Sequence, residues 1–232
     1  MHAAKTILQE KDLAPLKIIP TVMKIVPTFL AAFFLFAFAG SSAYAQPVGD
    51  IVALVENHYS GVQDLTAKVL QKNFLKAVGR TQKFEGTLWI KKPGKLRIDY
   101  TNGQMILVDG KSALFYSRKS EQMIKKAFSD VQQMNIPVAF LLGAAHIRDD
   151  FDVLQPNPKS PRILELLPRK REAAMKKLVL TTDANGRITA LTIFDRSGNT
   201  TEISLSEVNE GVALDDKQFS FKAPKGTEVI EE

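Results

Sequence analysis

The alternation of apolar and polar positions is clearest in Gly86–Tyr100, GTLWIKKPGKLRIDY. Successive side chains on a strand point to opposite faces, so Gly86, Leu88, Ile90 and Lys92 share one face and Thr87, Trp89 and Lys91 the other. Pro93-Gly94 ends the strand, because proline has no N–H for a ladder and glycine accepts turn geometry. Leu96, Ile98 and Tyr100 then form one face of a return strand, with Lys95, Arg97 and Asp99 opposite. The pattern predicts a hairpin with one nearly all-apolar face carrying a single cation, Lys92.

The same period recurs along most of the chain. Asp50 is placed to cap a short helix with Ile51, Leu54, Val55 and His58 or Tyr59 on one face, stopped at Gly61. Leu65–Phe74 reads as a strand whose Leu65, Ala67, Val69 and Gln71 share a face. Met105–Val108 and Ser112–Tyr116 flank Asp109-Gly110, a strong two-residue hairpin signal. A polar turn at 118–121 leads to a further strand, Gln122–Lys126. Strands at this spacing predict an all-β barrel or open barrel.

The pattern breaks after Lys126. Ser129 and Gln132 have capping-box spacing, and Pro137 suits the first turn of a helix. Val138, Phe140, Leu141 and Leu142 are too crowded for a half-solvated helix, and Gly143 ends the run. A second short helix is expected at Ala144–Arg148. Covering an apolar sheet face is the simplest reason for helices inside a β run. Strands resume at Phe151–Leu154, Ile163–Leu167, Lys177–Thr182, Ile188–Phe194 and Thr200–Val208. Charged residues from Arg169 form one hairpin loop, and Asn185-Gly186 and Ser197–Asn199 mark the last turns.

The N-terminus changes the domain reading. Met23-Lys24 precedes an apolar, Phe- and Ala-rich run, Ile25–Ala39, and then Ala43-Tyr44-Ala45. A basic start, a short apolar core and an A-x-A end describe a secretory signal peptide, with the start at Met23 and cleavage after Ala45. Residues 1–45 are then extension and leader, and 46–232 one domain with room for a real core. The chain has no cysteine, so an exported fold here uses no disulfide and no thiol chemistry. A net charge of +6, reduced by loss of the lysine-rich leader, leaves a mildly basic protein. Export and the lack of a basic helical motif speak against nucleic acid as partner.

Catalytic chemistry has little to stand on. His58 and His146 are isolated, and Asp149, Asp150 and Asp152 read as a solvated loop. There is no G-x-S-x-G, no metal-ligand spacing, no G-x-G-x-x-G and no P-loop. No enzyme activity, metal or cofactor is expected. What remains is apolar surface, and by composition Leu88, Ile90, Leu96, Ile98, Phe140 and Leu141 read as an ordinary packed core. Trp89 faces away from them, and Arg97 and Asp99 read as a surface pair.

The run Gly86–Arg97 resembles the signature of the LolA family of periplasmic lipoprotein carriers. The resemblance continues through Val108–Gly110, Phe115-Tyr116, Pro137–Leu142 (PVAFLL) and Phe219–Gly226 (FSFKAPKG), in order across the mature chain. The family often has arginine where this chain has Lys92, and an aromatic residue where it has Leu96. The resemblance implies a mainly β fold with a helical lid (α+β), an open, incomplete antiparallel β-barrel covered by short helices. It implies an apolar pocket for acyl chains lined by Leu88, Ile90, Leu96 and Ile98, with Phe140 and Leu141 on the lid. Lys92 takes the place of the residue that ties the lid to the rim. The implied function is a monomeric periplasmic shuttle for outer-membrane lipoproteins. Its partners would be an inner-membrane ABC-type releasing complex and an outer-membrane receptor lipoprotein. The receptor shares the fold but is anchored through a lipid-modified cysteine, which this chain lacks. Two alternatives use the same scaffold: a carrier of other lipids or glycolipids, and an RseB-like periplasmic sensor, which needs a further domain.

Overall fold

Helix α1 (Val48–Gly61) leads into a run of strands: β1 (Asp64–Leu75), β2 (Arg80–Lys91), β3 (Lys95–Tyr100), β4 (Gln104–Asp109), β5 (Ser112–Ser117) and β6 (Gln122–Ala127). After a one-turn helix at Ile147–Asp150 come β7 (Phe151–Leu154), β8 (Ile163–Pro168), β9 (Met175–Thr182), β10 (Ile188–Asp195), β11 (Thr200–Glu210) and β12 (Glu228–Glu231). The structure, a computed structural model, describes residues 48–127, 147–157, 159–160, 162–169 and 175–231. The expected helix at Ser129–Gly143, with Phe140 and Leu141, lies outside the described residues.

All twelve strands form one sheet, ordered β12-β6-β5-β4-β3-β2-β1-β11-β10-β9-β8-β7. Neighbours are antiparallel except β12, which runs parallel to β6. The sheet is not closed, since β7 and β12 end it without pairing to each other. It nevertheless curls. Leu88, Ile98 and Val108 from one half and Leu164, Leu180 and Ile203 from the other belong to a single buried cluster. Ile51, Val52 and Val55 of α1 plug that cluster. Each fully buried Leu or Ile contributes about 1.5–3 kcal/mol, so this interior dominates the stability of the fold.

The register follows the predicted alternation. Leu88 pairs with Ile98 and Ile90 with Leu96, so the hairpin's apolar residues do share a face. Gly86 lies opposite Tyr100, where a Cβ would fall 2.5 Å from the Asp99 carbonyl oxygen. A side chain there meets backbone, which cannot step aside. Helix α1 differs from expectation in detail: Val52 is buried and Leu54 is not. The β9–β10 turn packs on the Leu54 carbonyl instead, and only a glycine fits. Gly186 has φ +82°, and a Cβ would sit 2.6 Å from that oxygen.

The outer face of β2–β6 is also covered. Met105, Leu107, Leu114 and Met123 point outward and are buried with Phe219 of the C-terminal segment, with Trp89 and Phe221 packed against them. The continuous apolar run Met105–Val108 is the sequence mark of a strand buried on both faces. The strap over this face is fixed at its start by Asp64, whose carboxylate accepts from the N–H of Val212 (2.7 Å) and Leu214 (3.2 Å). Asp216 then meets Lys91 at 2.7 Å and Lys95 at 3.0 Å. Arg97 is more than half of a surface pair. It holds Asp99 at 2.9 Å, donates to the Gln218 carbonyl at 3.0 Å and lies 5.9 Å from the Trp89 ring centroid.

Candidate functional site: an uncharged cleft and a pinned helix

At one end of the curled sheet the inner-face residues change character. On β1 the inward series runs Leu65, Ala67, Val69 and then Gln71 and Asn73. The same face continues at Phe84 on β2, which pairs with Gln71, and at Tyr100 on β3, which pairs with Gly86; on β4, β5 and β6 it holds Ile106, Phe115 and Ile124. Together these residues line a cleft of about 340 Å³, at the lower end of the roughly 300–1,000 Å³ usual for ligand pockets. The polar Gln104, Ser117, Ser120 and Gln122 complete its lining with Met105 and Tyr116, whose side chains pack on the outer face, and among the described residues no charged side chain lines it.

The cleft holds a short polar chain. The Tyr100 hydroxyl donates to Gln71 Oε1 at 2.6 Å, and Gln71 Nε2 donates to Asn73 Oδ1 at 3.0 Å. Burial pushes the Tyr100 hydroxyl up to about 12, so it remains a proton donor across the physiological range. Phe84 stacks at a tilt on Tyr100, with centroids 5.7 Å apart.

The other end is closed by the C-terminal turn of α1, which three contacts pin. Lys92 donates from Nζ to the Tyr59 carbonyl, one of the last helix carbonyls that has no partner within the helix. A cation there also complements the helix dipole. Burial holds the Lys92 pKa below the ordinary lysine value. The Tyr59 hydroxyl accepts from the Ile188 N–H at 3.0 Å, and burial, only partly offset by that bond, pushes its pKa up to about 12. His58 meets Glu210 at 2.9 Å, and Glu210 also faces Arg187 at 3.3 Å. A β-bulge delivers Glu210 to this site. Glu207 takes φ 50° where the β1–β11 register shifts. Inward positions on β11 therefore switch from Ile203 and Leu205 to Val208 and Glu210.

Leu88, Ile90, Leu96 and Ile98 come together, as the hairpin pattern required, and are 0–2 % exposed. They sit in the filled interior between α1 and the cleft, and none of them lines the cleft. Lys92 lies at the α1 end, eight residues along the strand direction from Phe84, roughly 26 Å at strand rise. Its contact within the described residues is with α1; Phe140 and Leu141 lie outside them. The cleft residues Phe84, Tyr100, Ile106 and Phe115 went unread, although counting back by twos from Leu88 and Val108 reaches two of them. Among the described residues no group of His, Asp and Glu is arranged to hold a metal, and no helix is long and apolar enough to cross a membrane.

The described residues thus form an unclosed, curled sheet with an apolar interior and a cleft at one end. The family model described as outer membrane lipoprotein carrier protein LolA matches residues 60–222, and the chain belongs to that family. An outer-membrane lipoprotein carrier protein from Methylococcus capsulatus is 27% identical over 175 residues, 72% of this chain and 83% of the relative. One from Nitrosospira multiformis is 26% identical over 213 residues, 90% of this chain and all of the relative. Among solved structures, a LolA superfamily protein from Nitrosomonas europaea covers 75% of this chain and 97% of its own at 13% identity, with a TM-score of 0.43.

Proposed function

We propose that this chain is a periplasmic carrier that takes the acyl chains of outer-membrane lipoproteins into its apolar interior. On this reading residues 1–45 are an extension and leader removed after Ala45, and 46–232 are the carrier. The cargo comes from an inner-membrane ABC-type releasing complex and passes to an outer-membrane receptor. The observation that carries the reading is the cleft. Its inner wall of Tyr100, Ile106 and Phe115 is continuous with the packing around Ile98 and Leu88. Acyl chains would enter there and part the interior lined by Leu88, Ile90, Leu96 and Ile98. Phe140 and Leu141 would cover them, and Lys92 would hold α1 against the far rim.

The physics suits a shuttle and not a catalyst. Each buried methylene contributes about 0.8 kcal/mol, so a long acyl chain represents roughly 10 kcal/mol or more. Release into water is then too slow to be useful, and cargo must pass directly into an acceptor. Native mass spectrometry of the protein purified from the periplasm tests the reading. Bound acylated polypeptide is the expected result. Bound free lipid would make it a carrier of another class, and a protein regulator on an empty interior would make it a sensor.

A further inference from the structure

We propose that Gln71 and Asn73, aligned by the Tyr100 hydroxyl, hold the ester carbonyls of a diacylglyceryl group at the head of the cleft. The inference rests on the carrier reading and names the part of the cargo that this site takes. Gln71 and Asn73 lie on the inward face of β1, in line with Leu65, Ala67 and Val69. A plain acyl tunnel would continue that row with aliphatic residues. Instead two primary amides face the cleft, beside Phe84, Ile106 and Phe115.

The hydrogen-bond chain sets which atoms remain free for a ligand. Tyr100 reaches Gln71 diagonally across β2: Tyr100 pairs with Gly86, which adds no side chain to that path, and Gln71 pairs with Phe84. The hydroxyl gives its proton to Gln71 Oε1, and Gln71 gives one N–H to Asn73 Oδ1. Each oxygen thus already has one donor, and the N–H groups left without a partner among the described residues are one on Gln71 and two on Asn73. Donors polarised by such a chain are the better for it. They match a carbonyl acceptor carried on an apolar ligand. A carboxylate is also an acceptor, but among the described residues no cation lines the cleft, and an unpaired buried charge is costly. The site thus fits a neutral ester and disfavours a free fatty acid.

The test compares two synthetic fluorescent probes, a diacylglyceryl lipopeptide and its dialkyl ether analogue, which has the same chains and no carbonyls. Each is titrated into protein purified from the envelope of cells expressing the full chain. The wild type should bind the ester about five- to tenfold tighter than the ether, as one or two hydrogen bonds predict. In Gln71→Leu and Asn73→Leu the ratio of ester to ether affinity should fall to about one. Tyr100→Phe, which removes one oxygen and keeps the ring, should reduce the preference in a protein that still folds. Equal binding of both probes by the wild type overturns the proposal and leaves the carrier reading standing, as does an ester preference that survives all three variants. Binding of neither probe overturns both.

Discussion

Ile98 stands in the wall between the cleft and the filled interior, and truncating it tests whether that interior is where cargo goes. Its cross-strand neighbours are Leu88 on one side and Ile106 on the other. Ile106 lines the cleft and Leu88 does not. Ile98 is 1 % exposed, so Ile98→Ala removes three carbons from a packed site. The lost transfer energy and the cavity together cost about 2–5 kcal/mol, which most domains of about 5–15 kcal/mol survive. If the interior takes the cargo as proposed, an acyl chain would fill the gap in the loaded protein, and the loaded form would lose less than the empty one. Whatever the empty form alone loses returns as affinity. If about 1.4 kcal/mol is returned, binding tightens roughly tenfold. Urea unfolding of the empty protein and titration with a fluorescent acylated peptide measure the two sides. A destabilised variant with unchanged affinity would refute the assignment, because the vacated space would then lie off the cargo's path. An unchanged unfolding midpoint would refute the packing argument itself.

The remaining predictions concern the pins around this interior. Lys92→Ala removes the donor to the Tyr59 carbonyl; it should cost no more than about 1 kcal/mol, because burial already disfavours this charge, and should alter acyl-probe affinity in a folded barrel. Unchanged affinity by titration would sink its role in closure. Alkaline unfolding should show Tyr100: its folded value is about 12 against 10.0 unfolded, so its contribution is complete below pH 10 and is lost as pH rises towards 12. That is on the order of 3 kcal/mol, and urea midpoints of Tyr100→Phe should be correspondingly flatter over that window. Asp64→Ala leaves the N–H groups of Val212 and Leu214 without their acceptor and should cost about 2–3 kcal/mol. The strap covers the single tryptophan, Trp89, so its emission should shift to the red; an unshifted spectrum would mean the strap is held elsewhere.

Much of the fold was legible because the alternation is strict where one face is buried. Gly86–Tyr100 read correctly strand by strand, turn included, since Leu88, Ile90, Leu96 and Ile98 have to share a face. The outer cover was harder. The Met105–Val108 run showed that β4 is buried on both sides, but what covers it comes from more than 100 residues away, at Phe219. Arg97 looked like solvent-facing polarity for the same reason, and is instead a clamp on that strap. The Glu210 pin was hidden by the bulge at Glu207, which reverses inward and outward positions without any glycine to announce it. The cleft was hidden by a different cause. A pocket wall and a core wall have the same alternation, and which rows are filled depends on how the sheet curls, which no local pattern encodes.

The filled interior fits a carrier better than an open tunnel would. A preformed apolar tunnel would keep most of the roughly 10 kcal/mol or more that a long chain gains on burial, and the cargo would not leave. If cargo enters as proposed, the acyl chain would first have to displace Leu88, Ile98 and their neighbours from contacts that are already closed. Separating two or three such side chains costs about 1.5–3 kcal/mol each, which offsets much of the gain and leaves the net affinity moderate. On that proposal, an acceptor with the same apolar area but less to displace would bind the cargo more tightly, and transfer would run downhill without nucleotide hydrolysis. The α1 end bears on the same balance. The Lys92, Tyr59 and Glu210 contacts fix one end of the interior, while among the described residues no charge lines the cleft end, so on this proposal the interior would part from the cleft inward. Loosening the pinned end should therefore change how tightly cargo is held more than whether the barrel folds.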